Sequence, residues 1–301
     1  MTNPSPAATM LPRLMGVLNI TPDSFSDGGQ FTSVEAALAQ AKLLIEQGAS
    51  VVDVGGESTR PGATRLTPVE EQARVLPVIE ALMFLPQVAN GSAVLSIDTM
   101  NSSTARLAVE AGVGIVNDVS GGQADSQMFA TLAQVLAMRP DARYVLGHWH
   151  SFELGAGAVQ QTDDIVASVT AELKARVALA EASGLKRQQI IVDPGLGFGK
   201  DSAQNRQLIE GFNTLASLEL PILIGASRKR FLAFEIAEAK GIGLADVTAE
   251  QRDEATAELS VWLWQHSLTS KKTDQLWGFR VHNVQANIDA MRVAAALRFA
   301  H

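Results

Sequence analysis

Three side chains suited to reading a nitrogen heterocycle, Asp98, Asn117 and Asp193, and four suited to holding an anion, Arg60, Lys229, Arg280 and His282, all stand just beyond apolar runs in this chain. The clearest case is Ile190 to Lys200, Ile-Ile-Val-Asp-Pro-Gly-Leu-Gly-Phe-Gly-Lys, where β-branched residues run into a carboxylate and then into glycines. A carboxylate inside a sheet must be paired or neutralised, so Asp193 belongs at a strand's C-terminal mouth, where a polar ligand can meet it. Pro194 ends the ladder, and the glycines let the next loop approach a ligand closely. Asp98 reads as a site carboxylate or a turn residue, and its place after an uninterrupted apolar strand favours the site. Asn117 offers both a donor and an acceptor, which suits a heterocycle edge.

The cations have rival readings. Arg60 follows a glycine pair in Gly-Gly-Glu-Ser-Thr-Arg, beside two hydroxyls, and could equally pair with Glu57 at the surface. Arg228, Lys229 and Arg230 open a helix, where the dipole already favours anions, so a basic run there suits anionic or electron-rich ligands better than stability. Arg228 and Arg230 have an outward-facing alternative. Arg280 and His282 alternate at a strand end and make a phosphate grip. His148 and His150 hint at a metal, but with no acidic partner assigned to them packing or loop contacts are the stronger reading. A nucleotide loop at 195–200 fails its test, because the pattern needs Gly at 194 and Ser or Thr at 201 and the chain has Pro194 and Asp201.

What must position these groups is a repeated unit. Apolar runs ending in polar residues lie at Leu14 to Asn19, Val51 to Asp53, Val94 to Asp98, Gly114 to Asn117, Tyr144 to His148, Ile190 to Asp193 and Ile222 to Ser227, with a less apolar eighth at Leu276 to Arg280. Helical spacing fills most intervals, as at Val34 to Glu46, Val69 to Leu85, Ser103 to Ala111, Ile165 to Ser183 and Glu254 to Trp264. Eight strand-then-helix units predict a single (β/α)8 TIM barrel with its active site at the C-terminal ends of the strands. Asn101 or Ser102 is expected to cap the helix that starts near Ser103. Residues 1–12 read as a flexible lead and 13–301 as one barrel domain. The loop Thr21 to Gly29, rich in turn formers, reads as a mobile lid.

A net charge of -8 argues against nonspecific nucleic-acid binding, and the absence of cysteine excludes disulfides, thiolate metal sites and thiol catalysis. No run approaches the roughly 20 apolar residues needed to span a bilayer, so no membrane partner is expected and a cytoplasmic enzyme is the default.

Met15 to Gly29, Asp53 to Gly62, Ser96 to Thr99, Asn117 to Gly122, Asp193 to Lys200, Ser227 to Lys229 and Arg280 to His282 resemble, in order, the motifs of the dihydropteroate synthases. The resemblance implies a transferase of folate biosynthesis, condensing 6-hydroxymethyl-7,8-dihydropterin pyrophosphate with 4-aminobenzoate to 7,8-dihydropteroate and pyrophosphate with Mg2+. It implies that Asp98, Asn117, Asp193 and Lys229 bind the pterin, and that Asn19, Arg280 and His282 bind pyrophosphate, with Asn19 beside the metal. Thr59, Arg60, Pro61, Phe198, Ser227 and Lys229 would meet aminobenzoate. Asp193, Lys229, Arg280, His282 and Arg60 would carry the chemistry, Arg60 and the Asp23 to Phe25 loop closing over the site. It further implies a sulfonamide target and a homodimer through the last helices, where Trp262 and Trp264 are core or interface.

Two positions depart from the family pattern. Gly147 replaces a methionine, which would leave a gap beside the pterin for Trp149 or a neighbour to fill, and Asn283 replaces an aspartate. Two alternatives stay open: a noncatalytic pterin-binding paralogue, which the Gly147 change keeps alive, and a pterin-dependent methyltransferase.

Overall fold

The computed structural model describes residues 11–20, 29–57, 65–150 and 159–298. Eight parallel strands close into a barrel in sequence order: β1 (Arg13–Asn19), β2 (Val51–Gly55), β3 (Val94–Asp98), β4 (Ile115–Asp118), β5 (Arg143–Gly147), β6 (Ile190–Asp193), β7 (Ile222–Ile224) and β8 (Leu276–Val281). Around it lie α1 (Gly29–Glu46), α2 (Pro68–Leu82), α3 (Pro86–Ala89), α4 (Ser102–Glu110), α5 (Met128–Ala137), α6 (Ile165–Ala182), α7 (Ser202–Glu210), α8 (Phe212–Leu215), α9 (Arg230–Lys240), α10 (Ala249–Thr269) and α11 (Val284–Arg298). The predicted TIM barrel is the observed fold. Leu11, inside the expected lead, packs against the core, and residues 1–10 of that lead lie outside the described residues, as does the 21–28 loop.

The two-residue period of the strands explains which side chains reach the mouth. Met15, Val51, Ile115, Val145, Ile191 and Leu223 form a separate apolar cluster inside the barrel. Two residues further along three of those strands stand Asp53, Asn117 and Asp193, which therefore share the inward face. Residues of opposite parity, such as Val52, Val54, Leu95, Ile97, Val116 and Val192, join the large core under the helices. Asp98 lies in register with both Gly55 and Asn117, so the second, third and fourth strands deliver their polar ends at one level.

Two local expectations are corrected. Asn101 occupies the cap position of α4 but its side chain does not cap; its amide donates to Glu71 Oε2 (2.9 Å), and Asp125 Oδ2 accepts from the Ser102 N–H instead (2.8 Å). A buried carboxylate competing for the Asn101 amide outweighs the local cap. The seventh strand stops at Ile224, after a register shift against β8 at Ile222 and Leu223, so Gly225 and Ala226 lie outside it and Ser227 sits in a turn closed by Lys229 N–H on Ala226 O (3.2 Å). Asn283, by contrast, has a plain structural use. Its Oδ1 accepts from Ala286 N (3.0 Å) at the start of α11.

Candidate active site

The mouth of the barrel is organised around Arg280. Its Nε donates to Asp53 Oδ2 (2.6 Å) and its Nη2 to Asp98 Oδ2 (2.7 Å), while Asn117 Nδ2 donates to the same Asp53 oxygen (3.0 Å). Asp53 is fully enclosed and Asp98 nearly so. One guanidinium thus serves two carboxylates. Burial pushes Asp98 up to about 7, opposed by Arg280 and assisted by the neighbouring charge of Asp53. Burial also works against the charge of Arg280, but the two carboxylates overcome it and hold the guanidinium above its ordinary range.

Asp193 ends β6, and its Oδ1 accepts from Gly195 N (2.7 Å). Its Oδ2 lies 3.3 Å, and Lys229 Nζ 3.9 Å, from where a Cβ would stand on Gly225, so the bare backbone leaving β7 makes room for both charges. Burial pulls Lys229 down to about 8, with Asp193 resisting and Arg280 adding to the fall. Lys229 Nζ donates to Leu196 O and sits 4.2 Å from the centre of the Phe198 ring, a cation–π contact that also carries the ammonium across an aromatic face. Arg228 takes the left-handed conformation (φ 58°) and turns away to Asp253 with a two-pronged pair at 2.8 and 2.7 Å. Arg230 lies over Phe234. Of the three successive cations only Lys229 enters the mouth.

Ser227 and His282 meet across the mouth. The Ser227 hydroxyl accepts from His282 N–H (3.1 Å) and stands 2.9 Å from His282 Nδ1, placed to donate to it and leave the ring hydrogen on Nε2. Asn19, exposed at the end of β1, has its Oδ1 3.8 Å from the Gly55 Cβ position. Asp98, Asn117, Asp193, Phe198, Ser227, Lys229, Arg280, His282 and Asn19 are therefore all placed at this end of the barrel. Thr59, Arg60 and Pro61 lie outside the described residues, as does the Asp23 to Phe25 loop.

The reading of Gly147 is corrected. A Cβ there would stand 2.6 Å from both Cα and O of Val119 and 2.7 Å from Asp118 O, so backbone leaving β4 fills the place a side chain would take. Trp149 instead packs with Met100, Val119 and Phe198. The two histidines do have an acidic partner, Glu172, at 3.1 Å from His148 Nε2 and from His150 Nδ1. Among the described residues no group of three or more acidic or histidine side chains forms a metal site.

Sequence reasoning assigned no role to Asp53, the residue on which Arg280 and Asn117 converge. Its signal was present: a carboxylate in the middle of Val51–Gly55, where every position is buried.

A family pattern described as "pterin binding enzyme" matches residues 15–274. The dihydropteroate synthase of Mycobacterium leprae is 41% identical over 286 residues, covering 94% of this chain and 93% of that one. The chain belongs to the dihydropteroate synthase family. Among solved synthases, that of Xanthomonas albilineans with 4-aminobenzoic acid superposes at a TM-score of 0.79, with 38% identity and coverage of 96% and 93% of the two chains. The synthase of Anaplasma phagocytophilum with bound 6-hydroxymethylpterin-monophosphate superposes at 0.77, with 33% identity and coverage of 95% and 98%.

Proposed function

We propose that this member of the family condenses 6-hydroxymethyl-7,8-dihydropterin pyrophosphate with 4-aminobenzoate, giving 7,8-dihydropteroate and pyrophosphate. The observation that carries the reading is the Arg280–Asp98 contact of 2.7 Å, which joins a heterocycle-reading carboxylate and an anion-holding guanidinium in one buried network. A substrate with a heterocycle at one end and a phosphate at the other matches that pair. Asp98, Asn117 and Asp193 take the amino, ring-nitrogen and carbonyl edges of the pterin, with Lys229 beside them. Arg280 has donors left on Nη1 and Nη2 for phosphate oxygens, and His282 and Asn19 complete the anion seat.

In the reaction the bond between the pterin methylene carbon and the pyrophosphate oxygen breaks, and its electron pair leaves with pyrophosphate. Arg280 and His282 hold the departing charge. The cation left on the pterin is delocalised, and Asp193, at the end of β6, stabilises it electrostatically. The arylamine nitrogen then forms the new C–N bond and sheds a proton. Its carrier lies against Phe198, Ser227 and Lys229, with Thr59, Arg60 and Pro61 closing the seat, so placement rather than a protein nucleophile supplies the rate.

Mg2+ belongs to this reading. Asn19 offers an exposed neutral oxygen at the mouth, and the described residues form no protein cage, a donor set suited to an ion held mainly by phosphate oxygens and water. When bound it would neutralise charge on the leaving group. No helix among the described residues is long and apolar enough to cross a membrane. The reading carries with it a cytoplasmic location, a homodimer and competition by sulfonamides for the aminobenzoate seat.

Calorimetry of aminobenzoate binding tests the two-part site. Binding should require added pyrophosphate and Mg2+, because the second seat is completed only over an occupied first one. Equal affinity with and without them would overturn the reading.

A further inference from the structure

Lys200 is 7% exposed, yet among the described residues no carboxylate accepts from it. Its three bonds go to Gly195 O (2.9 Å), Phe198 O (2.9 Å) and His148 Nδ1 (3.0 Å). Lysine is rarely buried without a countercharge, so this arrangement calls for a purpose. Burial, with the Lys229 charge adding to it and Asp193 and Glu172 resisting, pulls Lys200 down to about 7, and in its ammonium form its three hydrogens match these three acceptors. The ionised Glu172 carboxylate can only accept, so the His148 ring hydrogen lies on Nε2, which donates to Glu172 Oε2 (3.1 Å), and Nδ1 of the neutral ring is left to accept from Lys200. Burial, reinforced by the Lys200 charge, pulls His148 down to about 4 and keeps it neutral. Glu172 is itself fixed by Ser168 Oγ (3.1 Å), Gln160 Nε2 (2.6 Å) and His150.

The result is a chain of contacts from α6 through the end of β5 into the loop that follows β6. That loop carries a tight turn in which Phe198 N–H donates to Gly195 O (3.0 Å), the carbonyl Lys200 also holds. Lys229 grips the same turn at Leu196 O. Gly195 is left-handed (φ 66°), and any Cβ on it would collide with His148 O, so the turn lies directly on β5. Phe198 is thereby fixed 4.8 Å from the Trp149 ring and 4.2 Å from Lys229 Nζ.

We propose that Lys200 is a positioning residue for the aminobenzoate half of the site: relayed through neutral His148 to Glu172, it clamps the Gly195–Phe198 turn and so sets where Phe198 stands. The inference rests on the placement of aminobenzoate against Phe198 given above. The pterin groups Asp98 and Asn117 hang from other strands, and Asp193, although its Oδ1 accepts from Gly195 N, is held at the end of β6 by His148 N–H on its carbonyl (2.9 Å), so a clamp on this turn should weigh more on aminobenzoate than on the pterin.

Steady-state kinetics with each substrate varied, alongside thermal unfolding, test it. Lys200→Met should raise the KM for aminobenzoate about tenfold or more while the KM for the pterin pyrophosphate stays within about twofold. His148→Asn keeps an acceptor near Nδ1 and should retain most of the parent's aminobenzoate KM. His148→Gln reaches toward Glu172 but offers Lys200 no such acceptor, and should share the Lys200→Met defect. If Lys200→Met does not fold, the His148 pair carries the test alone. An unchanged aminobenzoate KM in Lys200→Met, an equal rise in both KM values, or matching defects in both His148 variants would overturn the clamp. Phe198→Ala separates the aminobenzoate seat from the clamp on it. Should it leave the aminobenzoate KM unchanged, the seat itself is misplaced; should it raise that KM while Lys200→Met does not, only the role of Lys200 fails.

Discussion

Asp53 shows how a single enclosed carboxylate can govern a site it does not line. Its Oδ2 takes both Arg280 and Asn117, so it fixes the pose of a group meant for phosphate and of one meant for the heterocycle. Removing it in Asp53→Ala leaves Arg280 with Asp98 and takes away the acceptor of the Asn117 side-chain amide, and breaking a buried pair of this kind costs about 3–5 kcal/mol. Denaturant unfolding of the variant should show that loss; a change below about 1 kcal/mol would mean that water replaces the pair. Asp98 has a different signature. Its carboxyl is held up to about 7 by burial, and the pterin needs it as an acceptor, so the binding form is the deprotonated one. Pterin affinity should therefore fall as pH drops through about 7, and Asp98→Asn should flatten that dependence while weakening binding throughout. A pH-independent pterin KM between 6 and 8 in the parent would contradict it. At this scale the sequence spoke clearly wherever a polar group ended an apolar run, as at Asp98, Asn117 and Asp193. It placed Asp53 at the end of a run without giving it a partner, because nothing local reveals which distant cation a buried strand carboxylate meets.

Among the elements, the strand ends were legible and the turns between them were not. The runs ending at Asp98 and Asp193 are bounded as expected, because alternation and β-branched residues define a strand locally. Gly147 was misread for the opposite reason: whether a glycine leaves a hole depends on what crosses it, and here the crossing segment is Asp118–Val119, donated by the neighbouring strand. Gly147→Met should thus destabilise by at least about 1–3 kcal/mol through overpacking, read as a lowered midpoint in urea. Unchanged stability would show that the β4 loop yields easily. The cap of α4 failed for a similar cause, Asp125 and Glu71 arriving from elsewhere in the fold to take over the expected local bonds.

For the whole molecule, eight repeats of one pattern dictated a closed barrel, and the closure in turn explains why residues as far apart as Asp53 and Arg280 touch. Assembly is less written in the chain. Trp264 is enclosed in the core, whereas Trp262, one of its near neighbours on α10, is 45% exposed and stacked on His266 at 5.1 Å. The proposed homodimer should sediment at twice the 32.0 kDa of one chain, and Trp262→Glu should shift it toward the monomer with its fold intact. A parent that sediments as a monomer would remove the dimer from the account. The most direct test of the central claim is to incubate the protein with the pterin pyrophosphate, 4-aminobenzoate and Mg2+ and to follow both products together. Pyrophosphate and dihydropteroate should form in equal amounts, both lost in Asp193→Ala and in Arg280→Ala. Neither product from protein that still binds the pterin would contradict it and leave a noncatalytic pterin-binding role.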